Sequence, residues 1–213
     1  MSTTQGLEQE SRYDILQNRE GDILIIINSR QGGPENPRFI YDGGATALLY
    51  RTKEMAVVFN NIADATWRAN FEVLSRNFDL IFINIGINDL RRRKDSNLQL
   101  DFSEGVRVMY WNRLLDIATK TNATIVVTDL LPVVEERYTE QASLIRCNSD
   151  VEKYNEIIEN ICKQRNILFF SRYDKWIKRD LQNLYKDATH PNATGHQIIA
   201  EEIYEYIKNK NFI

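Results

Sequence analysis

Short apolar runs rich in β-branched residues recur along this chain, each followed by a polar or glycine-containing break and then by a stretch of helical periodicity. The runs are Ile23 to Ile27, Ala56 to Phe59, Phe78 to Ile85, Thr124 to Thr128 and Ile167 to Phe170. A strand buried on both faces reads as such a continuous run, because neither face needs a polar partner for water. Helical stretches fall between them at roughly 64–76, 102–120, 148–164 and 173–184, with a last one at roughly 193–209. In the last, Ile198, Ile199, Ile203, Tyr206 and Ile207 share one face, while Glu201, Glu202, Glu205 and Lys208 turn to water and Asn192 stands where a cap belongs. Strand and crossover helix repeated in this way predict an α/β chain: a three-layer α/β/α sandwich around a mainly five-stranded parallel sheet.

A chain of 213 residues, 43% of them hydrophobic, sustains one sizeable core. No linker rich in Pro, Gly or Ser divides it, so the expected organisation is an N-terminal extension over 1–21 and one domain over 22–213. A net charge of -3 argues against a general nucleic-acid binder. The first twenty residues lack the apolar core of a signal peptide and no segment has the apolar length of a span, so neither membrane insertion nor export is expected and a cytoplasmic location is. Cys147 and Cys162 are too few for a disulfide scaffold or a cysteine-rich metal site, and the two histidines do not occur in a spaced ligand cluster. No metal or other cofactor is implied.

Open parallel sheets gather ligands at the carboxyl ends of their strands. Three polar clusters follow such ends: Asn28–Ser29, Asn60–Asn61 and Gly86–Asn88. Asp187 and His190 stand three residues apart ahead of the last helix. A histidine held beside a carboxylate is a general base that requires a nucleophile, and Ser29, directly after the first strand, is the candidate. Attack on a carbonyl creates an oxyanion, for which Asn88 offers its side-chain amide and Ser29 and Asn61 their backbone N–H groups. Asn61 is a residue type that enters the left-handed backbone state readily, and Gly86 lets its loop approach a crowded centre closely. Asp89 reads as a residue holding its own loop. Arg30, Arg91 and Arg92 are candidates for a positive rim that binds an anionic substrate or product. His196, within the first turns of the last helix, reads as structural, and Trp67, Trp111 and Trp176 read as helix-packing residues.

Two of these clusters carry a family likeness. With Gly86-Ile87-Asn88-Asp89 and Asp187-Ala188-Thr189-His190-Pro191 in this order, the chain resembles the SGNH hydrolases, the GDSL-like lipases and esterases, over approximately residues 22–209. The resemblance implies a doubly wound, flavodoxin-like fold and a serine esterase without a cofactor, acting on a small acyl ester or O-acetylated substrate, with carbohydrate among the acetyl carriers. It also implies Ser29, His190 and Asp187 as the catalytic set. The first block departs from the family: members read Gly-Asp-Ser where this chain reads Ile27-Asn28-Ser29. In the second block Asn61 stands where members supply a glycine N–H. These departures leave open a noncatalytic SGNH-like binding or structural domain, and an acyltransferase using the same Ser-His-Asp site.

Overall fold

The computed structural model describes residues 23–27, 52–54, 61–74 and 79–211. Its strands are β1 (Ile23–Ile27), β2 (Thr52–Glu54), β3 (Leu80–Asn84), β4 (Arg92–Arg93), β5 (Thr124–Thr128), β6 (Leu144–Ile145) and β7 (Leu168–Phe170). A central sheet runs β2-β1-β3-β5-β7 with every neighbouring pair parallel. In that order the chain steps outward from β1 to β2 and then returns to β3 on β1's other side. The crevice where such a reversal occurs, at the carboxyl ends of β1 and β3, is where an open sheet leaves room for a ligand. The register sets Ile27 of β1 opposite Asn84 of β3, so both strands end at the same level.

Two features were not anticipated. The run Ala56 to Phe59 lies outside the described residues, and Thr52–Glu54, where no strand was expected, pairs with β1. At the end of the strand order it has one hydrogen-bonded neighbour among the described residues, and such an edge tolerates Lys and Glu where a central strand would not. β4 and β6 form a separate antiparallel pair, Arg92 opposite Ile145, too short to show a period in sequence.

The helices are α1 (Ile62–Glu72), α2 (Glu104–Ala118), α3 (Asn148–Gln164), α4 (Tyr173–Trp176), α5 (Leu181–Leu184) and α6 (Ala193–Asn209). Alternation along β3 assigns them to layers. Ile81 and Ile83, with Val127 of β5, join Ile62, Ala65 and Ala69 of α1, Trp111 and Leu115 of α2, and Val151, Tyr154 and Ile158 of α3. Leu80 and Phe82, with Val126, meet Ala200, Ile203 and Ile207 of α6 on the opposite face. Each fully buried Leu, Ile, Val or Phe among them contributes roughly 1.5–3 kcal/mol of transfer free energy.

The helix expected over 173–184 is two single turns. Asp180 opens α5 with ψ 84, and its carboxylate accepts from Asn183 Nδ2 at 2.7 Å, local bonding that competes with a continuous helical ladder. Trp111 and Trp176 are fully buried, as packing residues should be, whereas Trp67 is 68% exposed and meets Phe71 one turn along α1. Among the described residues no helix is long and apolar enough to cross a membrane.

Candidate active site

The Asp187–His190 loop is closed on itself. Tyr185 bridges to Pro191, and Lys186 N–H donates to His190 O at 2.8 Å. Asp187 Oδ1 accepts from the backbone N–H groups of Thr189 and His190, both at 2.8 Å, and His190 Nδ1 lies 2.8 Å from each carboxylate oxygen. Burial works against the Asp187 charge, but the His190 ring and these two N–H groups outweigh it and hold the carboxyl well below the usual carboxylate range. With Asp187 ionised beside Nδ1, the neutral imidazole carries its proton there and leaves Nε2 as an acceptor.

The loop is braced from two sides. Asn192 caps α6, accepting from Gly195 N at 3.0 Å as the sequence suggested. A Cβ on Gly195 would sit 2.4 Å from Leu184 O and 2.9 Å from Pro191 Cβ, so only glycine lets α6 start this close to α5. From the segment after β5, Val134 N–H donates to Ala188 O at 2.8 Å and Arg137 Nη1 to Tyr185 O at 2.8 Å, while Tyr185 hydroxyl donates to Pro132 O at 2.6 Å.

The Asn88 loop leaves β3 through Gly86, whose φ of 128 and missing side chain are both required, since a Cβ would lie 2.9 Å from Tyr154 Cε1. The crowding that demands glycine therefore comes from the packed tyrosine ring. Asp89, fully buried, accepts from Ile62 N–H at 2.9 Å and from Tyr154 hydroxyl at 2.6 Å, and Trp111 Nε1 donates to that hydroxyl at 2.9 Å. Asp89 thus ties its loop to the first residue of α1. Burial pushes its carboxyl up to about 6 against the opposing pull of Tyr154, the Ile62 N–H and the charges of Arg107 and Arg91.

Asn88 and the Asp187–His190 loop meet through a residue that sequence reasoning missed. Arg146 donates from Nη2 to Asn88 Oδ1 at 2.7 Å, from Nε to Ile87 O at 2.8 Å and from Nη1 to Thr189 Oγ1 at 3.3 Å. Tyr138 hydroxyl shares Thr189 Oγ1 at 2.9 Å. No local pattern could have singled out Arg146, because all its partners are distant in sequence.

Ser29 and Arg30 lie outside the described residues. Asn61 does not adopt the left-handed backbone: its φ is -100, its Oδ1 accepts from Asp64 N–H at 2.9 Å, and its own N–H donates to Asp64 Oδ2 at 3.2 Å. This reciprocal cap of α1 occupies the N–H that was expected to meet an oxyanion. Nor do Arg91 and Arg92 form an uncommitted rim. Arg92 makes a fork to Asp150, 2.6 and 2.8 Å, and Arg91 pairs with Asp101 at 3.1 Å. His196 is buried in the first turn of α6. Among the described residues no group of three His, Cys, Asp or Glu is placed to hold a metal ion.

The model of the GDSL-like lipase/acylhydrolase family matches residues 41–198, a stretch that holds Asn61, Asn88, Asp187 and His190 and begins beyond Ser29. The fold is similar to that of the acetyl xylan esterase AlAXEase, at 17% identity and TM-score 0.66 over 87% of this chain and 99% of that one. It is similar to the psychrotrophic esterase EstA from Pseudoalteromonas sp., at 14% identity and TM-score 0.65 over 89% and 98% of the two chains. A catalytic mutant of the acetylxylan esterase Axe2 from Geobacillus stearothermophilus matches at 18% identity and TM-score 0.65 over 88% and 94%. No curated protein sequence matches the chain.

Proposed function

The chain belongs to the GDSL-like lipase/acylhydrolase family, and from that membership we propose that it is a serine esterase acting on a small acyl ester or an O-acetyl group. The observation that carries this reading is the Asp187–His190 contact, with Asn88 joined to the same loop through Arg146. Ser29 supplies the nucleophile. It follows β1 by two residues, and β1 ends level with β3, the strand that leads to Asn88.

Ser29 Oγ attacks the acyl carbon as its proton passes to His190 Nε2, and the resulting imidazolium is stabilised by Asp187 at Nδ1. The tetrahedral oxyanion is met by the Asn88 amide and the Ser29 N–H. Collapse breaks the bond to the alcohol oxygen, which takes the proton from Nε2. Water then gives a proton to Nε2 as its oxygen attacks the acyl-serine, and collapse breaks the bond to Ser29 Oγ, which takes that proton back as the carboxylic acid leaves. Acetyl xylan esterases among the similar structures support an O-acetylated carbohydrate as the natural ester.

Asn28, in place of the family's aspartate, and a family match that begins beyond Ser29 favour a second reading, a noncatalytic domain on the same scaffold. A fluorophosphonate probe followed by peptide mapping, with p-nitrophenyl acetate turnover for the native chain, Ser29→Ala and His190→Ala, separates the two. The esterase reading expects covalent label on Ser29 and a loss of about 10³-fold or more in either variant. An unlabelled Ser29, with one low rate shared by all three proteins, would leave the noncatalytic reading. Acyl transfer, which shares the first half-reaction, would appear as acylated product when a sugar acceptor is added.

A further inference from the structure

Arg146 is 8% exposed and immediately precedes Cys147, the residue that opens α3, yet its guanidinium turns to two loops that the proposed chemistry needs side by side. Three of its five N–H donors are spent on Ile87 O, Asn88 Oδ1 and Thr189 Oγ1. A guanidinium has no acceptor, so the Asn88 amide can only present its oxygen to Arg146, and its NH₂ is thereby directed away from the arginine. The reverse orientation would set donor against donor. A cation on the amide oxygen also polarises the amide and strengthens its N–H groups as donors. The contact to Thr189, whose own N–H bonds Asp187 Oδ1, fixes how far that amide stands from His190.

We infer that Arg146 is a positioning residue, setting the orientation of the Asn88 amide and its spacing from the Asp187–His190 pair. This rests on the esterase reading above, in which Asn88 meets the oxyanion. Arg146 touches no reacting atom, so its effect must pass through the placing of the Asn88 amide against the Thr189-bearing Asp187–His190 loop.

The test is a double-mutant cycle on p-nitrophenyl acetate turnover, with thermal unfolding of each protein alongside. Arg146→Met in the native background lowers kcat by about 10–100-fold with KM nearly constant, a fraction of the 10²–10³ that removal of an oxyanion donor costs. In the Asn88→Ala background the same change lowers kcat little further, because the group it positions is gone. Arg146→Lys, a point charge that cannot reach both Ile87 O and Asn88 Oδ1, serves where the methionine variant does not fold and loses activity in the same sense. Asn88→Asp keeps two acceptors for Arg146 but no N–H, so it folds at least as stably and loses turnover. Folded Arg146 variants with the native kcat, or equal losses in both backgrounds, would overturn the inference while leaving the esterase reading intact. Absence of turnover in the native chain, or full activity in Asn88→Ala, would instead strike the esterase reading or the role of Asn88 in it, and this inference with them.

Discussion

Asp187 Oδ1 is shared by the Thr189 and His190 backbone N–H groups and the His190 ring, while among the described residues Oδ2 meets the ring alone. That division makes Asp187→Asn an informative change. The amide oxygen keeps the two backbone donors, so the new NH₂ takes the Oδ2 place and donates to Nδ1. The ring proton is then driven to Nε2, where, in the proposed mechanism, it blocks acceptance from Ser29. Turnover of p-nitrophenyl acetate is expected to fall by on the order of 10²–10⁴, while the thermal midpoint hardly moves, because the loop's backbone bonds persist. A variant near the native rate would show that control of the tautomer is not what Asp187 supplies. Asn61 likewise spends its N–H within its own turn, on Asp64. A side chain able to cap a helix, three residues ahead of an aspartate able to return the bond, finds its most stable arrangement locally.

At the scale of elements, the short β4–β6 pair has an importance beyond its length. β6 ends at Ile145, directly before Arg146, and β4 carries Arg92, whose fork holds Asp150 in the first turn of α3. An acidic group there is also favoured by the helix N-terminus. Arg92 is therefore a clamp between ribbon and helix, and neutralising it should act on stability before it acts on substrate charge. Arg92→Gln is expected to cost about 1–2 kcal/mol, between the values of exposed and buried pairs, since the Arg92 side chain is 30% and that of Asp150 8% exposed. Urea unfolding measures that cost. KM for p-nitrophenyl acetate and for the anionic p-nitrophenyl hemisuccinate should change by the same factor. A rise confined to the anionic ester would restore Arg92 to a substrate-binding rim.

Across the whole molecule, what was legible in the sequence is what depends on local pattern. β3, β5 and β7 are apolar runs, and α3 and α6 repeat their buried residues at helical spacing. The Asp187–His190 contact was legible too, because both partners belong to one closed loop. Hidden were features decided by distant partners: a polar edge strand stabilised by β1, a two-residue ribbon, and the guanidinium joining Asn88 to Thr189. Asp89 belongs to this second kind, since its burial depends on α1, α2 and α3 together, and it contributes to how the fold responds to acid. Its folded carboxyl is raised to about 6 from 3.8 in a free chain. Above that range it is ionised in both states and folding bears the whole cost of burying the charge. Between pH 6 and 4 the folded state binds the extra proton, so the cost falls as pH falls, by roughly 3 kcal/mol in all. Asp187 acts oppositely: its carboxyl is held low, so the stability it contributes is present above its unfolded value and is lost only as the pH drops below that. Urea unfolding of the native chain and Asp89→Asn at steps from pH 4 to 8 isolates the Asp89 contribution, because every other group cancels in the difference. Relative to Asp89→Asn, the native chain is expected to gain stability steadily from pH 7 down to 4. A difference independent of pH would mean that Asp89 titrates as an ordinary carboxylate, and that its bonds to Ile62 and Tyr154 offset its burial in full.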